Sequence, residues 1–311
     1  MRSLICGSIA FDTIMVFRDR FKNHILPEQI HILNVAFLVP DMRREFGGCA
    51  GNIAYSLAML GGSPVIMATV GDDAAPYLER LDRLGLSREA VQQVAGTYTA
   101  QAFITTDLDD NQITAFHPGA MNDSHLNSVH QVPDIGLGIV SPDGREGMLR
   151  HAQEFVELGI PFIFDPGQGL PMFTGEELLR FIDQADYVTV NDYEGRLLQE
   201  RCGQPLEQLA RRVRALVVTL GGEGARIYAG ARSHDIAAVR PRALVDPTGC
   251  GDAFRAGLIY ALQRGLDWPV AGRLAALVGS IKIEHRGGQN HRFSQDDIVA
   301  RYRECFGAAP W

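Results

Sequence analysis

Several patterns that would point to a particular function are missing from this chain of 311 residues. The five cysteines include no C-x-x-C pair, so neither a zinc ribbon nor a thioredoxin-type redox motif is available. No apolar run approaches the roughly 18 residues of a membrane-spanning helix. The apolar stretch after Met1 is interrupted at Asp12 and has no cleavage site. The sequence therefore predicts a cytoplasmic globular protein with reduced thiols and no membrane partner.

Lysine is also scarce, since the 29 basic residues include only Lys22 and Lys282 beside 29 − 2 = 27 arginines. Neither lysine lies in a G-x-x-x-x-G-K-[ST] motif, which excludes a P-loop. The segment Gly7–Asp12 lacks G-x-G-x-x-G, which disfavours a nicotinamide-dependent oxidoreductase. The net charge of −8, with no basic stripe, argues against a nucleic-acid partner.

The 46% apolar content is sufficient for a large core, and short apolar segments alternate with helical ones along most of the chain. Such alternation predicts a mostly parallel central sheet between two helical layers, a three-layer α/β/α fold. Strands are predicted at 4–10, 64–70, 135–140, 161–164, 187–190 and 215–220, followed by a hairpin near Gly230. Helices are predicted at 50–60, 75–84, 146–158, 176–184, 194–200, 206–213, 251–264, 269–285 and 295–305.

Two segments depart from this alternation. Residues 13–45 form an apolar, proline-punctuated insertion, and residues 97–117 include a hairpin pattern with strands at 99–106 and 112–117. Together they predict a small β-rich lid subdomain. The predicted core then consists of residues 1–12, 46–96 and 118–311.

The segment richest in chemistry is Asp246-Pro-Thr-Gly-Cys-Gly-Asp252-Ala-Phe, at the predicted start of a long helix. Backbone N–H groups at a glycine-rich helix N-terminus bind anions, helped by the helix dipole. Asp252 is there either a capping carboxylate or a general base that takes the proton of a substrate hydroxyl. In the second case Gly249, Cys250 and Gly251 bind the transferring phosphoryl group, and a side chain at Gly251 would crowd it.

Two further glycine clusters each have a structural and a functional interpretation. Gly47-Gly48-Cys-Ala-Gly-Asn52 predicts either close helix–sheet packing or a ligand lying against the backbone beside Asn52. Thr219-Leu-Gly221-Gly-Glu-Gly224 follows a strand and predicts either a hairpin turn or a loop that holds nucleotide phosphates.

Taken in this order, the motifs resemble those of the ribokinase-like family of ATP-dependent carbohydrate and nucleoside kinases. Gly47–Asn52 is similar to the family's N-terminal signature, and Asp246–Phe254 to its C-terminal signature. Asn191-Asp-Tyr-Glu194 resembles the N-x-x-E motif, and Thr219–Gly224 the ATP-phosphate loop. The resemblance implies the ribokinase-like fold, with Asp252 as the catalytic base.

The resemblance also assigns roles to residues whose own chemistry leaves them open. ATP would lie near Asn191, Thr219, Gly221 and Gly224. Magnesium would be held by Glu194 through water, because Mg²⁺ keeps much of its hydration. Without the resemblance, the sequence favours an exposed carboxylate in the first turn of a helix for Glu194.

Three more roles follow from the same family. A monovalent cation such as potassium would lie near Asp246 and Thr248. Asp12 would hold paired ring hydroxyls of the acceptor, although the residue alone is equally a strand-end cap. Gly47, Gly48 and Asn52 would contact the same acceptor.

The lid separates the two candidate substrate classes. An apolar, aromatic lid favours a nucleoside over a bare sugar, because a base offers area for stacking. The same side chains could instead pack the lid, or pair it with a second subunit's lid in a homodimer. The lid residues concerned are Phe17, Phe21, Ile25, Leu26, Ile30, Ile32, Leu33, Phe37, Leu38, Phe103 and Phe116.

The segments Phe116–Met121 and Glu284–His291 resemble the corresponding pieces of bacterial nucleoside and adenosine kinases. We therefore expect phosphoryl transfer from ATP to the primary hydroxyl of adenosine or a range of nucleosides. A kinase for ribose or fructose is the alternative. A catalytically silent binding protein is a third hypothesis, disfavoured by the intact Asp252 motif.

Overall fold

A computed structural model describes residues 1–25, 34–109 and 111–309 of the chain. Its strands are β1 (Arg2–Cys6), β2 (Ala10–Val16), β3 (Asp41–Gly47), β4 (Ser63–Val70), β5 (Ser87–Gln93), β6 (Ala100–Thr106), β7 (Gln112–His117), β8 (Ile135–Val140), β9 (Phe162–Phe164), β10 (Tyr187–Asn191), β11 (Ala215–Thr219), β12 (Ala225–Ala229) and β13 (Arg232–Ile236). Its helices are α1 (Cys49–Met59), α2 (Ala75–Arg83), α3 (Arg145–Leu158), α4 (Gly175–Gln184), α5 (Asp192–Cys202), α6 (Leu206–Leu209), α7 (Cys250–Gln263), α8 (Trp268–Ile283) and α9 (Gln295–Phe306).

The large sheet has nine strands in the order β13-β12-β11-β10-β9-β8-β1-β4-β5. The strands from β11 to β5 pair in parallel, and β12 and β13 form an antiparallel hairpin at one edge. The chain leaves β1 first towards β4 and β5, and later returns on the other side to β8. The strand order therefore reverses beside β1, and parallel sheets bind ligands in the crevice outside the carboxyl ends at such a point.

Side chains of the parallel strands point alternately to the two faces of the sheet and pack into two separate hydrophobic cores. Ile5, Ile139 and Ile163 pack on one face with α1, α7 and α8. Leu4 and Val140 pack on the other face with α3, α4 and α5. Because both faces are covered, the central strands β1, β4 and β8 to β11 are mostly apolar, and the predicted α/β/α layering is confirmed.

The small sheet has the strand order β3-β2-β6-β7. In its register Asp12 lies opposite Ala102, and Ala102 lies opposite Phe116. Directly paired residues share a face of a sheet, so Asp12 and Phe116 point to the same side. Phe103 is displaced by one residue from Ala102 and lies on the opposite face.

Two predicted elements have wrong boundaries, and one strand was not predicted. The strand expected at 4–10 ends at Cys6, because the chain leaves the large sheet at Gly7 and enters the small sheet at Ala10. The polar edge strand β5 was not predicted, since only Ala90 of its seven residues is buried. The helix expected at 206–213 keeps a short α6, followed by a 3-10 turn over Ala210–Arg212.

The aromatic residues expected to line the lid mostly pack against one another. Phe17 and Phe37 have ring centroids 4.8 Å apart, and the Phe21 ring lies 5.0 Å from that of Phe37. Leu38 is 86% exposed. Leu26, Ile30, Ile32 and Leu33 fall outside the described residues. Of the predicted lid aromatics, Phe116 alone shares the face of Asp12 and is also exposed.

None of the helices in the described ranges is long and apolar enough to cross a lipid bilayer.

Candidate active site

The carboxyl edge of the large sheet brings together residues from distant parts of the sequence. Asp165 follows β9, while Asn191 and Thr219 end β10 and β11 and lie directly opposite each other in the register. The helix α7 begins at Cys250 beside this edge and carries Asp252 in its first turn. The parallel strands thus place three of the four sequence motifs around one crevice, as their order predicted.

The backbone before α7 requires glycine at Gly249. This N-cap residue has φ +77°, and a Cβ there would lie 3.1 Å from the Cα of Gly288. Gly251 has helical backbone instead, and a Cβ there would meet the end of the Arg255 side chain at 2.7 Å. The strongest conformational demand therefore falls at Gly249, two residues before the position that the sequence pattern singled out.

A chain of hydrogen bonds holds the carboxylate of Asp252. Asn52 Nδ2 donates to Asp252 Oδ2 at 2.9 Å, and Gln289 Nε2 donates to Asn52 Oδ1 at 3.1 Å. Gln289 Nε2 also donates to the Tyr77 hydroxyl at 2.6 Å, and this hydroxyl donates to the Gly47 carbonyl at 2.7 Å. Because the Gln289 amide donates to Asn52 Oδ1, the Asn52 amide must turn its own donors towards Asp252.

Burial raises the pKa of Asp252, while the charge of Arg255 and the Asn52 hydrogen bond act in the opposite direction. Arg255 lies one turn further along α7, is buried, and donates through Nη2 to Asp165 Oδ1 at 2.6 Å. A carboxylate with a raised pKa accepts a proton more readily near neutral pH. The geometry of Asp252 therefore suits a general base.

The carboxylate of Asp12 lies against Gly47, where an added Cβ would meet Asp12 Oδ2 at 2.3 Å. Burial, together with the negative charges of Asp252 and Glu45, raises the pKa of Asp12 to about 6. Within the described residues no hydrogen-bond donor is paired with this carboxylate, and Asp12 is the third residue of β2. No hydrogen bond therefore supports the interpretation of Asp12 as a strand-end cap. Its partly buried carboxylate remains available to bind a ligand.

Asn191 and Glu194 form the N-terminal capping box of α5. The two oxygens of the Glu194 carboxylate accept the Asn191 backbone N–H and side-chain Nδ2, each at 2.8 Å. Glu194 is 9% exposed, so it is a buried rather than an exposed first-turn carboxylate. Its remaining lone pairs can accept hydrogen bonds from the waters of a hydrated magnesium ion. Across the described ranges no three His, Cys, Asp or Glu side chains cluster as a metal site.

Gly221 and Gly224, in the loop after β11, have different roles. Gly221 lies in a 3-10 turn with open space around it, so its backbone is accessible to a phosphate. A Cβ on Gly224 would meet the Ile236 carbonyl oxygen at 2.0 Å, so close packing on β13 accounts for that glycine. Thr219 Oγ1 lies 3.5 Å from the Val190 carbonyl oxygen at the end of β10.

Asp246 ties the loop before α7 to the loop after α8. Its Oδ1 accepts the Thr248 N–H at 2.9 Å, and its Oδ2 accepts the Gly287 N–H at 2.8 Å. Cys250 lies in the same loop, and burial raises the pKa of its thiol to about 11. The thiol is therefore protonated at neutral pH, which makes it a weak nucleophile.

Sequence reasoning gave no role to Arg255 or Lys282, the two buried cations beside this crevice. Each interrupts an otherwise apolar helix, in Ala253–Ala261 and in Leu274–Ile283. A charge in such a run is expensive to bury without a partner, and this is the signal that marks both residues. The part played by Gln289 in orienting Asn52 left no comparable sequence signal.

A switch-point crevice with a glycine-capped helix N-terminus and a carboxylate in its first turn defines a phosphotransferase that acts on an alcohol group. The chain belongs to the pfkB family of carbohydrate kinases, which it matches over residues 10–294.

Two relatives make the similarity more specific. The nucleoside kinase of Methanothermobacter thermautotrophicus is 31% identical over 317 residues, which cover 99% of this chain and 97% of that protein. The structure of Burkholderia thailandensis nucleoside kinase in complex with inosine is 54% identical, covers 99% of each chain and superposes with a TM-score of 0.92. The same kinase in complex with ADP-inosine superposes with a TM-score of 0.89, at 54% identity and covering 99% of this chain and 98% of that chain.

Proposed function

We propose that this protein is a nucleoside kinase that transfers the γ-phosphoryl group of ATP to the primary hydroxyl of a nucleoside. The relation to two nucleoside kinases, of which the Burkholderia enzyme has structures in complex with inosine and with ADP-inosine, supports this substrate class. The geometry of the small sheet supports it independently.

The observation that carries the proposal is the shared face of Asp12 and Phe116. The two residues lie two strands apart, a separation of about 10 Å between their Cα atoms. We infer that the small side chain of Ala102 leaves room for a ligand between the Asp12 carboxylate and the Phe116 ring, and we call this region of the sheet face the trough. Such a trough fits ribose hydroxyls at Asp12 and a base against Phe116, whereas a bare sugar leaves the ring uncovered.

The reaction follows from the residues around the α7 N-terminus. The Asp252 carboxylate takes the proton of the primary hydroxyl, and the hydroxyl oxygen forms a bond to the γ-phosphorus. The bond between this phosphorus and the bridging oxygen breaks, so the electron pair leaves with ADP. The N–H groups of Gly249, Cys250 and Gly251 would stabilise the charge on the phosphoryl oxygens, for which the Cys250 N–H must exchange its hydrogen bond to the Pro247 carbonyl oxygen, 3.1 Å long in this structure. Magnesium, held through water by Glu194, would neutralise phosphate charge.

The proposal retains the division into lid and core. The lid comprises residues 13–45 and 97–117, and the core comprises residues 1–12, 46–96 and 118–311, although the small sheet itself begins at Ala10 in β2 and includes β3 as far as Gly47. Contact between two lids in a homodimer is also retained, because the outer face of the small sheet exposes Met42, Phe103 and Ile113.

A substrate panel tests the proposed function. With ATP and magnesium, we expect kcat/KM for adenosine, inosine or cytidine to exceed that for ribose and fructose by at least about tenfold, since the base buries additional apolar area. A sugar with the highest kcat/KM would contradict the nucleoside assignment and leave the kinase assignment in place. No turnover of any alcohol would contradict both.

Phe116→Ala tests the base contact. Stacking of a base on an aromatic side chain is worth about 1–3 kcal/mol, so we expect kcat/KM for inosine to fall about 5- to 150-fold. The value for ribose should stay unchanged. Phe103→Ala is the matched control, because this ring lies on the opposite face of the same sheet. Equal losses in the two variants would show that the sheet, rather than the trough, was disturbed.

The pKa of Asp12 predicts how nucleoside binding depends on pH. Inosine affinity, measured by calorimetry without ATP, should weaken as the pH falls through about 6, because the protonated carboxyl is a poorer acceptor. Since the Asp252 charge helps to raise this pKa, the midpoint should move to lower pH in Asp252→Asn. An unchanged midpoint in this variant would contradict the assignment of the transition to Asp12.

A further inference from the structure

Lys282 places a positive charge directly behind the phosphate-binding loop. The side chain is fully buried near the end of α8. Its Nζ donates to the Asp246 carbonyl oxygen at 2.7 Å and to the His285 carbonyl oxygen at 3.2 Å. The two carbonyls belong to different loops, one leading into α7 and the other following α8. A single ammonium group therefore joins both loops.

This arrangement does not fit the monovalent cation that was expected near Asp246 and Thr248. An ion there would need backbone carbonyl oxygens as ligands, and the Asp246 carbonyl already accepts a hydrogen bond from Lys282. The Asp246 carboxylate is also engaged, since its two oxygens accept the Thr248 and Gly287 N–H groups. The ammonium group has the charge and approximate size of a potassium ion, so both cannot occupy this position.

We propose that the Lys282 ammonium group is the resident cation of the phosphate site and makes the enzyme independent of monovalent metal ions. This inference rests on the proposed function, because it concerns the loop that would bind the transferring phosphoryl group. Lys282 touches no substrate and acts through the loop, so it is a positioning residue.

The ammonium group acts through two physical effects. It holds the Asp246 carbonyl and the segment after α8 at a fixed separation, and Gly288 of that segment packs against Gly249. It also places a buried positive charge near the first turn of α7, where its field favours the charged form of Asp252. Both effects favour negative charge at the same N-terminus, since a buried charge is poorly screened by solvent.

A salt panel on the wild-type enzyme is the first test. Kinase activity is measured at constant ionic strength in tetramethylammonium chloride, with sodium or potassium chloride replacing part of the salt. We expect kcat and KM to differ by less than about twofold between these salts, since no monovalent metal ion is needed. Activation by potassium of more than about tenfold would overturn the proposal.

Two substitutions then distinguish the effect of the Lys282 charge from the effect of the volume of its side chain. Lys282→Met keeps most of the volume without the charge, and Lys282→Ala leaves room for an ion. In tetramethylammonium chloride we expect both to lose about a hundredfold in kcat, a typical cost of removing one electrostatic contribution at a phosphoryl or oxyanion site. Potassium or ammonium ions should restore about tenfold or more in Lys282→Ala but not in Lys282→Met. Lys22→Met, at the exposed lysine of the chain, is the matched control.

Three results would contradict the role of Lys282. The first is full activity of Lys282→Met without potassium. The second is a loss of activity in Lys282→Ala that no cation restores, although circular dichroism shows a folded protein. The third is an equal loss of activity in Lys22→Met. If neither Lys282 variant folds, the wild-type salt panel decides the question. If the wild type phosphorylates no nucleoside in any salt, the proposed function fails instead. In that case the role of Lys282 is tested by measuring ADP binding to the wild-type protein by calorimetry. We expect the same ADP affinity in every salt. A requirement of ADP binding for potassium would overturn the proposal.

Discussion

Asp252→Asn is expected to reduce kcat by about 10²–10⁴, the usual contribution of a general base. The amide is isosteric with the carboxylate and can accept the hydrogen bond from Asn52 Nδ2, so the local geometry should persist. It cannot take a proton from the attacking hydroxyl. We therefore expect ADP affinity, measured by calorimetry, to remain within about threefold of wild type, while single-turnover phosphoryl transfer is lost.

A matched control for this substitution lies in the first turn of another helix. Asp296 is exposed in the first turn of α9, so Asp296→Asn changes the net charge of the protein by the same amount at a helix that contributes no residue to the crevice. Its kcat should equal that of wild type. A kcat for Asp252→Asn within about tenfold of wild type would assign Asp252 to helix capping alone.

Asp12→Ala is expected to raise the KM for the nucleoside by about 10²–10⁴. Charge-assisted hydrogen bonds from two hydroxyls contribute about 1.5–3 kcal/mol each, or roughly 3–6 kcal/mol together. The proposed ATP site lies at the ends of β10 and β11, away from β2, so the KM for ATP should change little. Initial rates with each substrate varied in turn measure the two constants separately.

The control for Asp12 is Thr13→Ala on the same strand. Thr13 is the neighbouring residue and points to the opposite face of the small sheet, so its removal disturbs β2 without touching the trough. Unchanged KM values for both substrates in Asp12→Ala would mean that this carboxylate does not bind the acceptor. Equal increases in both variants would point to distortion of the lid.

The large sheet could be predicted because each buried strand is an apolar run bounded by turn residues, as in Ile135–Val140 and Ala215–Thr219. The edge strand β5 could not be predicted, because only one of its residues, Ala90, is buried. Its sequence therefore lacks the alternation of apolar and polar residues that indicates a strand. The sequence also contained no sign of the break between β1 and β2, where the chain passes from the large sheet to the small one. An apolar run from Leu4 to Ala10 continues through both strands, although they belong to different sheets.

Motifs along the sequence predicted which residues would meet at the crevice, but their electrostatics depended on the fold. Asp12 and Asp252 are 240 residues apart in the numbering (252 − 12), and their mutual effect on pKa appears only when β2 and α7 come together. The same holds for Gln289, which acts on Asp252 through Asn52. Lys282 is conspicuous in the sequence as one of two lysines, but its carbonyl acceptors are visible only in the structure.

The unpaired carboxylate of Asp12 has a consequence for the stability of the fold. Its pKa is raised to about 6 in the folded protein, so the folded state binds this proton more tightly than the unfolded chain. The resulting stabilisation is fully present below the unfolded pKa of about 3.9 and is lost as the pH rises through about 6. At neutral pH the protein without a bound nucleoside therefore bears the cost of burying a charged carboxylate close to other acids. A trade-off between stability and activity is thus built into the acceptor site, and ligand hydroxyls that bind Asp12 compensate for it.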